Sequence, residues 1–345
     1  MIKFYKIPDE TKKRIYKNSG EKNNLPAYAI EKDWWVVQTL SILKHTEIGE
    51  HLVFKGGTSL SKAWDVIERF SEDIDLAVDR KFFGFEGDLG KSQRTNLRKA
   101  ANKYISETLF PELEKTFEEV GFKGVKIELE EIKTSDQDPV IISIYYPALI
   151  ESPGYIQPRV QIEIGCRSLR EPFEERPIQS IVDSTYPKAD FKQDPFIIPT
   201  VLPERTFLEK ILLLHEEFQR SKEKIRVNRM SRHLYDIYQI SKTDTTDKAL
   251  GDKDLYESIV KHRHRYTRVG GVDYNLHQPQ SIDFLPSKEL TPAWKADYAK
   301  MQEQMIHGVS PKYEDLINSL IELKEKINAI DWKMDAKFPP VTKQE

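Results

Sequence analysis

The chemistry that this sequence suggests begins with two aspartates, Asp73 and Asp75, which stand one residue apart. Residues 73–78, DIDLAV, alternate polar and apolar side chains with the period of a β-strand. Because alternate side chains of a strand share a face, both carboxylates point the same way. Adjacent carboxylates repel each other, and Mg²⁺ is the hard cation that takes one or two of them together with substrate phosphates. The alternative is an exposed strand face on which both aspartates are only solvated.

A glycine turn precedes the aspartates. Residues 52–54 are apolar and predict a short strand, which Gly56 and Gly57 interrupt. Thr58 and Ser59 then begin a stretch with helical spacing. The exposed N–H groups at the start of a helix favour a phosphate. Carboxylates for a metal beside a cradle for phosphate are what nucleotidyl transfer requires.

These motifs resemble a known family. The segments KGGTSL at residues 55–60 and RFSEDIDL at residues 69–76 resemble the nucleotidyltransferase core of the DNA polymerase β-like superfamily, and more narrowly the AbiEii/AbiGii toxin family. The segment IEKDWWV at residues 30–36 resembles a signature that precedes this core, but a docking helix with solvated charged residues is the simpler interpretation, and we assign those residues no catalytic role. The matching segments run from residue 28 to residue 275.

The resemblance implies a third carboxylate on a neighbouring strand, which helps to hold the metal and to activate the incoming hydroxyl. Residues 159–164, RVQIEI, alternate like a strand and resemble the family's third-acid strand, which makes Glu163 the best candidate. Glu128 and Glu130 also alternate with apolar residues and stay open as competitors.

Two helical motifs beyond Pro203 also resemble the family. In residues 204–215, ERTFLEKILLLH, the resemblance implies that Lys210 contacts the nucleotide phosphates, whereas a lysine that flanks the apolar stripe of a helix is by itself usually solvated. In residues 231–238, SRHLYDIY, Arg232 and Asp236 share a helix face because they are four residues apart. The resemblance places Asp236 near the active site and Arg232 on phosphate or on that acid, and a surface salt bridge is the alternative.

Composition limits the class of protein. A chain of 345 residues with 39% hydrophobic and 32% charged residues is typical of a soluble globular protein, and it has no transmembrane run. The N-terminal sequence has no apolar stretch of signal-peptide length, and the single cysteine, Cys166, excludes an internal disulfide, so we expect a cytoplasmic protein with no membrane partner. We interpret Cys166 as a small buried residue.

The net charge of −3 lacks the basic footprint of a nucleic-acid binder. Either the basic residues are clustered locally or the macromolecular partner is not nucleic acid. The densest basic run, residues 261–268, KHRHRYTR, either meets a phosphate backbone or is the solvated end of a helix.

We predict an α/β (α+β) nucleotidyltransferase fold with a mixed sheet in residues 1–200, followed by a mostly α-helical C-terminal domain in residues 201–345. The resemblance implies an enzyme that uses one or two Mg²⁺ ions to transfer a nucleotide from an NTP to an acceptor hydroxyl, such as a tRNA 3′ end. It also implies the toxin of a bacterial toxin–antitoxin or phage-defence pair, with a cognate antitoxin as partner. The alternatives are nucleotidylation of a protein hydroxyl and a non-catalytic nucleotide-binding interaction module.

The predicted site residues fall into three overlapping groups. They are Asp73, Asp75, Glu163, Lys210 and Asp236 for catalysis, Gly56, Gly57, Thr58, Ser59, Ser71, Lys210 and Arg232 for nucleotide binding, and Asp73, Asp75 and Glu163 for metal binding.

Overall fold

The structure is a computed structural model that describes residues 3–71, 73–152, 157–168, 171–306 and 308–340. The chain divides into two compact units. The first consists of Met1–Trp64 and Phe70–Val201, and the second of Asp65–Arg69 and Leu202–Glu345. The chain therefore leaves the first unit for five residues before it returns.

The first unit contains one sheet with helices. Its strands are β1 Leu52–Lys55, β2 Asp73–Val78, β3 Lys126–Leu129, β4 Val140–Tyr145, β5 Arg159–Gly165, β6 Phe173–Ile178 and β7 Phe196–Val201. Its helices are α1 Asp9–Asn23, α2 Ala27–Lys44, α3 Gly56–Lys62, α4 Lys91–Tyr104, α5 Phe110–Val120 and α6 Ile181–Thr185. A π-helical turn, Ile105–Leu109, joins α4 to α5.

The sheet is mixed, as predicted. Its strand order is β3-β4-β5-β2-β1-β7-β6. β2 pairs antiparallel with β1 and parallel with β5, β1 pairs parallel with β7, and the remaining pairs are antiparallel. β2, the strand with the two aspartates, consequently lies in the interior of the sheet.

The two faces of the sheet differ in polarity. Ile74, Leu76, Ile162 and Ile164 are completely buried in the same core as Trp34 of α2. The opposite face is half-buried and polar at Asp73 and Asp75 of β2 and at Arg159, Gln161 and Glu163 of β5. The apolar face is buried because removing it from water stabilises the fold. The polar side chains therefore project from the other face, where they can contact a ligand.

Helix α2 is more deeply buried than its sequence predicts. An amphipathic helix with one apolar stripe is expected, but nearly all of the residues from Ala29 to Leu43 are buried, including the three consecutive charged residues. Each of these makes its own anchoring contact. Glu31 accepts from the backbone N–H groups of Leu149 and Ile150, Lys32 donates to the carbonyl of Gln157, and Asp33 binds Lys62 and the N–H of Ile181. The interpretation that they are solvated is wrong.

The second unit is mostly helical, as predicted. Its helices are α7 Pro203–Phe218, α8 Ser231–Ser241, α9 Thr245–Gly251, α10 Lys253–Tyr266, α11 Thr291–Gln304 and α12 Tyr313–Asn328. Pro203 begins α7, where its missing N–H has no cost. No helix in the described part of the chain combines the length and the apolar character that a bilayer crossing requires.

Candidate active site

A row of three charged residues crosses the polar face of the sheet. The register pairs Lys55 of β1 with Asp75 of β2, and Asp75 with Glu163 of β5. Residues paired across neighbouring strands project from the same face at a backbone spacing of about 5 Å. Lys55, Asp75 and Glu163 therefore lie side by side, and all three are half-buried.

Asp73 lies one step along the same face. It is paired with Gln161 of β5 and, like Asp75, is half-buried. The predicted alternation of β2 is thus confirmed, with Ile74 in the core between the two aspartates.

The competing acids lie farther from Asp75. β3, which carries Glu128, is separated from β2 by β4 and β5. Glu128 forms an ion pair with Lys126 of its own strand. Glu130 accepts hydrogen bonds from Gln161 (2.7 Å) and Ser143 (3.3 Å). The strand order therefore favours Glu163 as the third acid.

Gly56 brings the backbone close to the Asp75 carboxylate. Its φ of +79° is a left-handed conformation that favours glycine. A Cβ at residue 56 would lie 2.0 Å from Oδ2 of Asp75, so no larger residue fits there without moving one of the two. The turn and the aspartate are thus mutually positioned.

The Thr58 and Ser59 hydroxyl groups, predicted to bind nucleotide, form hydrogen bonds with protein groups around the turn. The Thr58 hydroxyl bonds to the Ser71 hydroxyl (2.9 Å) and to the carbonyl of Asp73, and it joins α3 to β2. The Ser59 hydroxyl donates to the carbonyl of Gly56 (2.9 Å). Thr58 and Ser59 are both buried, so these two side chains stabilise the turn. The backbone groups of Gly56 and Gly57 stay as predicted phosphate contacts.

The carboxylates fit a hard divalent cation whose remaining coordination positions are filled by the substrate. No group of three or more His, Cys, Asp and Glu side chains in the described ranges is arranged as a metal site. Mg²⁺ nevertheless takes only one or two carboxylates and fills its other positions with waters and phosphate oxygens. Among the described residues, nothing forms a hydrogen bond or ion pair with the Asp75 carboxylate. Asp75 and Glu163 therefore fit such an ion without a preformed cage.

The second unit contains a buried ion cluster around Asp236. Asp236 is completely buried on α8 and accepts hydrogen bonds from Nε and Nη2 of Arg69, at 2.6 and 2.7 Å. Nζ of Lys210 lies 2.9 Å from Oδ2 of the same carboxylate. Lys210 is only 7% exposed, so its interpretation as a solvated lysine is wrong, and Asp236 is not part of a surface salt bridge.

Burial and the neighbouring charges shift the pKa values of Asp236, Lys210 and His233. Burial would raise the pKa of Asp236, but the Arg69 and Lys210 cations hold the pKa of this carboxyl below its usual range. Burial lowers the pKa of Lys210, and Asp236 opposes that shift. His233 on α8 also has its pKa lowered by burial and by the neighbouring cations Lys210 and Arg232, so it is neutral at pH 7. Arg232 is half-buried on α8.

Comparison with protein-family sequence profiles matches residues 38–336 to the family described as nucleotidyl transferase AbiEii toxin, type IV TA system. The chain belongs to the AbiEii nucleotidyltransferase toxin family. It is therefore a nucleotidyltransferase and a toxin of a type IV toxin–antitoxin system, and the interpretation as a non-catalytic binding module is wrong. NTP as substrate and an antitoxin as partner follow from the same membership.

Among solved structures, the chain is similar to MenT4, a nucleotidyltransferase toxin from Mycobacterium tuberculosis H37Rv, at 17% sequence identity. That match covers 94% of this chain and 98% of MenT4 with a TM-score of 0.48. A search of curated proteins gives no match.

Two of the four Lys and Arg residues in the basic run, residues 261–268, form ion pairs with acids. Arg263 forms a bidentate ion pair with Glu216, at 2.7 and 2.5 Å, and Lys261 lies 2.7 Å from Glu257. Because Glu216 is buried, the Arg263 guanidinium neutralises an interior carboxylate of this AbiEii-family protein and does not face solvent as a surface charge would. This run is therefore a weaker candidate for a nucleic-acid surface than its composition indicates.

Two functional candidates are missed by reasoning from the sequence alone. Arg69 lies in the recognised RFSEDIDL segment, but its partner Asp236 is 167 residues away, and no local spacing reveals the pair. Lys55 directly precedes the glycine turn, and an antiparallel pairing of β1 with β2 would have placed it near Asp75.

Cys166 is buried, as predicted. Burial and the adjacent Asp138 raise the pKa of its thiol, which excludes a reactive thiolate at neutral pH.

Proposed function

We propose that this AbiEii-family enzyme transfers a nucleotide from an NTP to the 3′ hydroxyl of a tRNA, with Mg²⁺ held by Asp73, Asp75 and Glu163. The observation that carries this proposal is the register of β2 and β5, which sets Glu163 directly beside Asp75 on the polar face. The close approach of Gly56 to Asp75 supports it, since a phosphate bound at the turn would lie next to the carboxylates.

The reaction forms one P–O bond and breaks another. The oxygen of the acceptor hydroxyl attacks the α-phosphorus, and pyrophosphate leaves with the electron pair of the broken bond. Glu163 is the carboxylate that would accept the hydroxyl proton, because it is half-buried beside Asp75. Mg²⁺, when bound, supplies positive charge to the triphosphate and to the departing pyrophosphate.

The residues of the second unit keep narrower roles. Lys210 and Arg232 stay predicted phosphate ligands, whereas for Asp236, predicted to be catalytic, we propose a positioning role. The bidentate contact with Arg69 and the contact with Lys210 support a positioning role for Asp236, because its oxygens already accept these donors.

A cationic helix supports a nucleic-acid acceptor. α4 contains five Lys and Arg residues and no Asp or Glu, in a chain with a net charge of −3. Arg98 is paired with Asp136, and the exposed Lys103 lies 3.9 Å from Glu107. Lys91 and Lys99 are exposed, and no acid in α4 itself pairs with them. Contacts from such residues to backbone phosphates dominate nucleic-acid affinity, so α4 favours RNA over a protein as acceptor.

A transfer assay tests the proposal. The purified chain is incubated with Mg²⁺, each α-labelled NTP in turn, and either total RNA or a protein extract. We expect label at tRNA size for the wild type and for Asp194→Asn, a control aspartate on an exposed loop. Asp75→Asn lowers the transfer rate by more than about 100-fold, as loss of a direct metal ligand should exceed loss of an outer contact.

The stability of Asp75→Asn separates chemistry from folding. Because the carboxylate is half-exposed and has no partner among the described residues, its free energy of unfolding stays within about 0.5 kcal/mol of wild type. If the label appears on protein instead, the acceptor is a protein and the proposed tRNA acceptor is wrong. Full transfer by folded Asp75→Asn would refute the site.

A further inference from the structure

Lys55 occupies a position that links the glycine turn to the carboxylates. It is the last residue of β1 and the residue before α3. Its extended backbone, with φ −143° and ψ −172°, continues the pairing with Asp75 up to the turn. Gly56, the next residue, is pressed against the Asp75 carboxylate, so the backbone of Lys55 is held at the edge of the candidate site.

In the part of the chain that the structure describes, no acidic side chain pairs with the Lys55 ammonium. This holds although Asp75 is its direct neighbour across the strands. Lys62, only two turns farther along, shows the contrast, since it forms a buried ion pair of 2.5 Å with Asp33. A half-buried lysine that lies opposite Asp75, with no salt bridge among the described residues, can bind another anion.

We propose that Lys55 binds the triphosphate of the NTP substrate. The inference rests on the proposed function and deepens it, because it assigns a cation to the same face as Asp75 and Glu163. An ammonium is a compact charge with three donors, which suits non-bridging phosphate oxygens from any direction. Its charge also lowers the mutual repulsion of the carboxylates before substrate arrives.

Nucleotide binding without acceptor tests this role. The full chain is titrated with a labelled NTP and with the matching NMP in Mg²⁺, and the variants are Lys55→Ala, Lys55→Arg and Lys81→Ala. Lys81 is the matched control, since it is an exposed lysine in the turn after β2, the strand that pairs with β1. Thermal unfolding of each variant checks that it is folded.

Lys55→Ala should weaken NTP binding by about 10- to 100-fold, the range for a hydrogen bond to a charged group. NMP binding should change much less, because the lost contacts are to the outer phosphates. Lys55→Arg should recover part of the NTP affinity, whereas a purely structural lysine would affect both nucleotides alike.

Each outcome is decisive. If the wild type binds NTP and folded Lys55→Ala binds it equally well, the role of Lys55 is refuted and the proposed function stands. If NTP and NMP weaken together, Lys55 acts on the shape of the site and the triphosphate assignment is wrong. If the wild type binds no NTP in Mg²⁺, the proposed function fails and this inference fails with it.

Discussion

Asp236→Asn tests the idea that this residue is a buried counter-ion. The substitution keeps the shape of the side chain but removes the charge that Arg69 and Lys210 share. Arg69 is 2% exposed and Lys210 is 7% exposed, so neither cation can recover its hydration without local unfolding.

The expected loss of stability is large. Breaking a buried ion pair by removing one partner typically costs about 3–5 kcal/mol. We expect Asp236→Asn to fall in that range, because it removes the negative charge that Arg69 and Lys210 face and replaces one of the two accepting oxygens by an amide group that cannot accept. The total free energy of unfolding of a domain is about 5–15 kcal/mol, so the variant loses a substantial part of it.

The effect also depends on pH. Because the folded-state pKa of Asp236 lies below its ordinary value of 3.8, its stabilising contribution is present above that value. That contribution is lost as the pH falls through the folded-state pKa. The difference in stability between wild type and Asp236→Asn should therefore be full at pH 7 and shrink in strong acid.

Urea unfolding at pH 7, followed by tryptophan fluorescence, measures the change. Asp244→Asn is the matched control, because Asp244 is an ion-paired aspartate of the same unit whose side chain is 75% exposed. Its urea midpoint should equal that of wild type. Lys210→Met in the Asp236→Asn background should recover part of the loss, since one unpaired cation is removed. An Asp236→Asn midpoint equal to wild type would refute the reasoning.

Two further substitutions follow from the geometry. Gly56→Ala should cost about 1–3 kcal/mol through its left-handed φ and should also abolish transfer by displacing Asp75, while a fully active Gly56→Ala enzyme would contradict the close approach. Arg263→Met leaves the buried Glu216 without its main partner and should cost about 3–5 kcal/mol in urea unfolding. Lys261→Met removes a lysine whose own side chain is 58% exposed, so it should lower the midpoint much less than Arg263→Met, and equal midpoints for both variants would contradict the buried pair.

The parts of the site that were predicted depend on local patterns. The alternation in residues 73–78 was enough to place Asp73 and Asp75 on one face, because a strand has a period of two. The choice of Glu163 over Glu128 and Glu130 could not be made from these patterns. All three acids alternate with apolar residues, and only the strand order separates them.

The burial of charged residues could not be predicted from local sequence patterns. Charged residues are almost never fully buried unless they are paired, so Lys210 and Asp236 are expected at the surface. Their burial depends on Arg69, which local periodicity cannot connect to α8. The same holds for α2, where Glu31 and Asp33 look like a solvated face but bond to backbone groups far along the chain.

Because Asp65–Arg69 belongs to the second unit, the coding sequence of that unit is not contiguous, which limits how it can be exchanged by recombination. A gene fragment that encodes only residues 202–345 would lack Arg69, and its product would hold Asp236 with Lys210 alone. Recombination at the junction after Val201 would therefore place the two partners of this buried ion pair on different genetic pieces. Exchange of residues 202–345 as one contiguous cassette keeps the pair only if the recipient supplies an arginine at residue 69.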